Sequence, residues 1–306
     1  MNNILIFQNR PGIGDAVLFL SSIHLIAKKN KLSNIFLITK ERSRAKDLLK
    51  DDPFINNILY SNSVQKNKLK ILKYFYLWKN LKKIKFKKAY IFHYSIGHYI
   101  LCKLMGIKKV YHYGFIKKNE NISKKIYLTT LNWLKIKKFD STSKIFLKKK
   151  FSNNQKNIIV GIGSSGLSRR WKILNFIKLI KLINNKHFKF YIVAGNNEKK
   201  EAMILVKKLK NKFNIKSLCE KNIYDILGYI KGSKIYIGTD SAFMHISAAL
   251  GVKSFGLFGD TPVNYAQYSK KIFPIIPAGY SNITHNSNAM DKIFPEHVYS
   301  KIKAFI

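Results

Sequence analysis

At 306 residues and 46% hydrophobic composition, the chain is long enough to build two ordinary domains with real cores. Its net charge of +42 rests on 57 basic residues, of which only five are arginine, so the charge is read either as part of a composition rich in Lys, Ile and Asn or as attraction to an anionic surface, and arginine-based reading of a nucleic-acid sequence is not expected. Two cysteines, no uncharged apolar run approaching about 18 residues and no signal-peptide pattern lead us to expect a reduced cytosolic compartment, no spanning segment and no export signal.

In chain order, Ile4–Phe7 is predicted as a strand, Asp15–Asn30 as a helix, Ile35–Thr39 as a strand and Ser43–Lys50 as a short helix. A short strand at Ile58–Tyr60 follows, then a basic helix around Lys68–Lys85, a strand Ala89–His93, a helix Gly97–Met105, a strand Val110–Tyr113 and a helix Ile122–Leu134. The polar stretch Ser152-Asn153-Asn154-Gln155 is taken as the boundary between a domain at 1–150 and a second at 151–295. The second half restarts the alternation: strand Ile158–Ile162, helix Ile173–Asn184, strand Phe190–Ala194, helix Glu198–Lys210, and a helix capped by Asn222 with Asp225 as its capping-box partner. A last helix, 296–306, opens at Pro295. Strands alternating with helices imply parallel sheets, hence two open α/β domains with a cleft between them.

The most informative stretch is residues 237–262. It reads as the end of a strand, a tight turn at Gly238–Asp240, a helix Ser241–Leu250 closed by Gly251, a strand Ser254–Phe258 and a second turn, Gly259-Asp260-Thr261-Pro262. Polar residues where a strand's carboxyl end meets a helix's amino end mark an anion site, because unpaired N–H groups and the helix dipole converge there. Asp240 and Ser241 are expected to cap that turn, with His245 one helical turn on and facing the same mouth.

Three further loops follow strands. Arg10-Pro11-Gly12-Ile13-Gly14-Asp15 has two glycines that let backbone approach a ligand, but lacks the third glycine and the ribose-binding acid of a dinucleotide fingerprint. Its Asp15 is either a reactive carboxylate or an ordinary helix-terminal acid. The loop 161–171 combines Ser164 and Ser165 with Arg169 and Arg170, either of which can neutralise phosphate; two of five arginines fall there. Gly195-Asn196-Asn197-Glu198 suits a base or ribose contact, or plain turn chemistry. The basic helix sets Ile71, Tyr74, Phe75, Leu77, Trp78 and Leu81 on one broad face, suited to core packing or to an anionic bilayer. Asp-x-Asp, Cys-x-x-Cys, His-Glu-x-x-His and Gly-x-Ser-x-Gly motifs are all missing, which removes support for metal-dependent sugar transfer, zinc chemistry and serine hydrolysis.

Together these residues resemble glycosyltransferase family 9, the heptosyltransferase-like enzymes: the opening strand with Gly-x-Gly-Asp, the Gly-Ser-Ser loop with Arg169 and Trp171, the Asp-Ser-Ala-x-x-His helix start, Leu-Phe-Gly-x-Thr-Pro, and Ile-Phe-Pro-Glu-His-Val near the end. The resemblance implies a GT-B fold with the acceptor on the amino-terminal domain and the nucleotide-sugar on the carboxy-terminal one. It also implies inverting heptose transfer, from an ADP-linked donor to a lipopolysaccharide-core or related glycolipid, with no metal and no cofactor. Asp15 then matches the catalytic carboxylate, near Gly12 and Gly14. Ser164, Ser165, Arg169, Asn197, Asp240, Ser241, Ala242 and His245 match donor-binding positions. Three positions depart from the pattern: Ala242 where glycine is usual, Asp260 where proline is common, and Asn197 where an acidic ribose contact is expected, for which Glu198 is the substitute. The implied partners are a nucleotide-sugar, an anionic glycolipid and the inner face of the inner membrane, with no specific nucleic acid. The alternatives are a GT-B transferase using another nucleotide-sugar, and a non-catalytic basic module that binds RNA or membrane.

Overall fold

The computed structural model describes residues 2–61, 70–114, 121–148, 156–164 and 166–306. The chain divides into two compact units, Met1–Phe146 and Leu147–Ile306. The polar stretch 152–155 lies outside the described residues, as does Ser165.

The amino-terminal unit runs β1 (Asn2–Phe7), α1 (Ile13–Lys29), β2 (Ser33–Thr39), α2 (Ala45–Leu48), β3 (Asn57–Tyr60), α3 (Lys70–Leu81), β4 (Phe86–Ile91), α4 (Ile96–Leu104), β5 (Lys109–His112) and α5 (Ile122–Leu134). Its five strands lie in the order β3-β2-β1-β4-β5, and every pairing is parallel. Helix α1 begins at Ile13, two residues before the sequence suggested. Asp15 lies in its first turn, and the Asp15 Oδ2 accepts the Gly12 N–H at 3.2 Å, so the carboxylate closes the helix start. In α3, Leu77 and Leu81 are fully buried while Tyr74, Tyr76 and Trp78 pack against the same core. Phe75 turns outward at 60% exposure, so the apolar face is a core face with one aromatic excepted. The side chain of Ile71 lies outside the described residues.

The carboxy-terminal unit runs β6 (Asn157–Gly161), α6 (Ile173–Ile183), β7 (Lys189–Val193), α7 (Lys199–Leu209), β8 (Asn214–Ser217), α8 (Ile223–Lys231), β9 (Ile235–Thr239), α9 (Ala242–Ala249), β10 (Lys253–Leu257), β11 (Ile272–Ile275) and α10 (Pro295–Ile302). Its six strands lie in the order β11-β10-β9-β6-β7-β8, again all parallel. Taken from β6, that is the doubly wound dinucleotide-fold order. Every residue of β9 is buried, as expected of a central strand covered on both faces.

Two strands escaped the sequence reading. The four residues of β8 alternate polar and half-buried at a sheet edge, and β11 carries Pro274, which only an edge strand tolerates. The turn expected at Gly238–Asp240 starts later, because Gly238 and Thr239 complete β9 opposite Gly256 and Leu257. Asn222 does cap α8 through Asp225 N–H, but Asp225's carboxylate accepts from the Asn222 side-chain amide rather than completing the box.

Candidate active site

In an open parallel sheet the chain leaves the first strand in opposite directions, and ligands bind beyond the carboxyl ends at that switch point. The switch lies between β1 and β4 in the amino-terminal sheet and between β6 and β9 in the carboxy-terminal one. Of the loops singled out in the sequence, 10–15, 161–171 and 238–241 follow β1, β6 and β9 at these switch points, whereas 195–198 follows β7 and 259–262 follows β10.

At the amino-terminal switch, Arg10 Nε lies 2.7 Å from Asp15 Oδ1 while Gly12 N–H holds Oδ2, so both carboxylate oxygens are oriented. Asp15's side chain remains about one-quarter exposed. Beside this loop lies a cluster the sequence reading missed. Ser61 Oγ donates to Asn9 Oδ1 (3.2 Å), turning the Asn9 amide nitrogen toward His93 Nε2 (3.2 Å) and His98 Nε2 (3.3 Å). His98 Nδ1 lies 2.7 Å from Ser95 Oγ and 3.2 Å from His93 Nε2.

With the amide in this orientation both Nε2 atoms accept, which assigns the protons of both rings to Nδ1. The Nδ1–H of His93 is then a buried donor with no partner among the described residues. Burial foremost, then electrostatic interaction with His112, Lys73 and Lys40, lowers His93 to about 4. Burial, then His93, Lys73 and Lys40, lower His98 to about 3. Both rings are therefore neutral at physiological pH, and Lys40 is itself lowered by burial and by Lys73. The signal for this cluster was available: Asn9, Lys40, Ser61 and His93 are polar residues just past the carboxyl ends of β1, β2, β3 and β4.

At the carboxy-terminal switch two glycines let the strands close. Gly161 and Gly238 are register partners, and a Cβ on Gly238 would sit 2.2 Å from the Gly161 carbonyl oxygen. Tyr236 Oη fills the space beside them, donating to Thr239 O (3.1 Å) and meeting Ser241 Oγ at 3.2 Å. Thr239 Oγ1 donates to Gly163 O, which ties the two loops together. Ser241 holds the N-cap position of α9, yet its hydroxyl contacts Tyr236 and makes no side-chain cap, contrary to expectation.

His245 is largely buried rather than open to the mouth. Its Nδ1 lies 2.9 Å from Tyr268 Oη and its Nε2 3.6 Å from Asp240 Oδ1. Burial and the Asp240 charge push the Tyr268 phenol well up, so it stays protonated. The tautomer in which the phenol donates to Nδ1 is the one that places Nε2–H on the Asp240 side. Asp240 thus faces His245 of α9 at 3.6 Å.

The arginine pair divides. Arg170 is held by Glu198 (2.7 Å) and Glu201 (3.7 Å), which removes it as a free phosphate partner and removes Glu198, itself buried, as a ribose contact. Arg169 sits in a short 3-10 turn, Leu167–Arg169, beside Asp260. Burial acts to raise Asp260, but a hydrogen bond from Ser168, the N–H of Asn288, the charge of Arg169 and the N–H of Asn286 outweigh it and hold the carboxyl below its ordinary range. Trp171 is buried and donates from Nε1 to Ile293 O at 2.8 Å, anchoring the loop's far end.

Around the Arg169 turn, Ser164 Oγ turns back to Gly166 O at 2.6 Å, Ala242 begins α9 half-buried, and Asn197 is exposed on its own loop. Buried Thr261 Oγ1 has no partner among the described residues. Among those residues no group of three or more His, Cys, Asp or Glu is arranged to hold a metal ion, and no helix is long and apolar enough to cross a membrane.

Two doubly wound parallel-sheet units, each with polar loops at its switch point, match the GT-B architecture. The profile of glycosyltransferase family 9 (heptosyltransferase) matches residues 134–289, half of the chain, and the chain belongs to that family. It is a glycosyltransferase. The chain is 28% identical over 268 residues to lipooligosaccharide heptosyltransferase 2 of Campylobacter jejuni serotype O:2, covering 81% of this chain and 78% of that one. Two solved structures share the fold. One is an Escherichia coli ADP-heptose lipopolysaccharide heptosyltransferase II (TM-score 0.76, 15% identity, 100% of this chain and 98% of that one). The other is a family 9 glycosyltransferase from Veillonella parvula (TM-score 0.81, 14% identity, 99% and 97%).

Proposed function

We propose that the protein transfers heptose from an ADP-linked donor to a hydroxyl of a lipopolysaccharide or lipooligosaccharide core, with inversion and without a metal. The carrying observation is the carboxy-terminal switch point, where Arg169, Asp240 and the start of α9 gather around closely paired β6 and β9. A helix amino end without a side-chain cap and a guanidinium offer a departing diphosphate the positive field that a metal would otherwise supply. The unpartnered hydroxyl of Thr261 is a further donor for the nucleotide.

In this reading Asp15 is the base. The acceptor oxygen forms a bond to the anomeric carbon while the carbon–oxygen bond to the diphosphate breaks, and the acceptor proton passes to Asp15. Arg10 and Gly12 N–H orient the carboxylate for that transfer. A positioned base is worth about 10²–10⁴ in rate. Asn9, His93, Lys40 and Lys73 are the acceptor-side groups: an amide and one neutral ring for hydroxyls, and ammoniums for an anionic headgroup. The same reading has the enzyme at the cytoplasmic face of the inner membrane, supported by exposed Lys79, Lys82, Lys83 and Phe75 on and just past α3.

Calorimetry with ADP-heptose against GDP- and UDP-sugars, and turnover with core acceptor in EDTA, test the proposal together. Binding of ADP-heptose, EDTA-resistant turnover and a product of inverted anomeric configuration by NMR are expected. Preference for another nucleotide-sugar, loss of turnover restored by magnesium, or nucleotide-insensitive melting with tight salt-sensitive RNA binding would overturn the corresponding part.

A further inference from the structure

The carboxy-terminal unit holds a cavity of about 510 Å³ at the opposite end of its sheet from the donor loops. Its walls come from the amino ends of β9 and β10, from Lys271 just before β11, and from Phe305 near the chain end. A five-residue strand spans about 16 Å, so the cavity is separated from Asp240 and Phe258 by the length of the sheet. The volume falls within the range of small-molecule sites, about 300–1,000 Å³.

Four lysines line this cavity and, among the described residues, no carboxylate side chain does. Lys231 serves the fold, its Nζ donating to Leu250 O at 2.8 Å, at the carboxyl end of α9. That contact also masks a carbonyl that would repel an anion. Lys234, Lys253 and Lys271 are not explained in this way. Lys234 Nζ lies 5.8 Å from the Phe188 ring centre and Lys253 Nζ 4.5 Å from that of Phe305. Aromatic faces steer an ammonium without cancelling its charge. Like charges gathered in a concave wall focus a field that scattered surface lysines do not.

We propose that this cavity is a second anion site, for a phosphate-bearing group, independent of the donor site. Two sources carry that chemistry, a free phosphate or pyrophosphate and the headgroup of an anionic lipid. Ile235 and Val252, at the amino ends of β9 and β10, line the cavity together with the lysines and Ser233, so a phosphate there meets ammoniums beside apolar side chains.

The test is a Lys234→Gln/Lys253→Gln double variant against a control of equal charge change, Lys207→Gln/Lys208→Gln at two exposed positions of α7. Pyrophosphate binding is measured by calorimetry in an Arg169→Ala background. Vesicle co-sedimentation compares phosphatidylcholine with and without phosphatidylglycerol. Melting temperatures report folding, and Lys271→Gln serves as a second probe should the double variant be unstable. We expect the cavity variant to bind pyrophosphate about tenfold or more weakly while the control does not. A parallel loss of anionic-vesicle binding assigns the site to a lipid headgroup, and retained vesicle binding assigns it to the free anion. Cavity and control variants behaving alike in both arms would overturn the proposal, whatever the fate of the heptose-transfer reading.

Discussion

Arg10 Nε lies 2.7 Å from Asp15 Oδ1, so the carboxylate that opens α1 is also held in a fixed direction by the loop preceding it. One oxygen completes the helix start and the other meets the guanidinium. This separates two roles that a simple truncation would confuse. Asp15→Asn keeps an oxygen for Gly12 N–H, while it loses the proton-accepting charge and the acceptor that faces Arg10. We expect it to fold with a melting temperature near wild type while turnover falls about 10²–10⁴-fold. Wild-type turnover in Asp15→Asn would remove Asp15 as base. Arg10→Gln should lower kcat, because Arg10 orients the Asp15 carboxylate.

Asp260 fastens Ser168 and the Arg169 turn to the segment at Asn288. Asp260→Ala should therefore weaken donor binding through a misplaced Arg169. Loss of a charge-assisted contact costs about 1.5–3 kcal/mol, roughly 10- to 150-fold in affinity. Calorimetry with nucleoside diphosphate checks this, and an unchanged affinity would leave Asp260 as a loop anchor only. The acid limb follows from the sign of its shift. A carboxyl held below its unfolded value, about 3.9, stabilises the fold above that pH and loses the contribution as pH falls through the folded value.

The histidine pair predicts a different pH window. His93 and His98 stay neutral down to about 4 and about 3, whereas unfolded histidine takes up its proton near 6.5. Below about pH 6.5 the unfolded chain therefore binds more protons, and the pair destabilises the fold progressively toward pH 4. Each histidine so held adds a slope of about 1.4 kcal/mol per pH unit. Urea melts between pH 7 and 4.5 should show the decline, and His93→Gln should flatten it. A slope unchanged in His93→Gln would show that this ring does not contribute.

Lys79, Lys82 and Lys83 are exposed, while Lys73 belongs with Lys40 and the histidines at the sheet edge. Lys82 Nζ sits 4.2 Å from the Trp78 ring centre, and Phe75, which packs against Trp78, keeps 60% of its surface exposed. Changing the three exposed lysines to glutamine should weaken co-sedimentation with anionic vesicles, about 1 kcal/mol for each. Adding Lys73→Gln should instead reduce turnover with soluble acceptor. Vesicle binding insensitive to salt and to all four changes would mean that the charge does not serve docking.

The alternation of apolar runs with amphipathic stretches was sufficient for nearly every strand and helix, because a buried parallel strand and a core-facing helix each impose a local period. Helix α5 ends at the residues read from the pattern, Ile122 and Leu134. The loops that carry chemistry were legible too, since polar and glycine residues after a strand's carboxyl end stand out against an apolar background. The edge strands β8 and β11 were not, being short, half-polar or proline-bearing.

What only tertiary structure decided is which partner each polar side chain takes. Arg169 and Arg170 are adjacent in sequence, yet one meets Asp260 and the other Glu198 and Glu201. His245 turned inward to Tyr268, twenty-three residues on, and Asn9 gathered His93 and His98 from across the β1–β4 switch. Side-chain pairing of this kind depends on strand order, and strand order is a long-range property: a local period records which face a residue occupies, never which neighbour waits there.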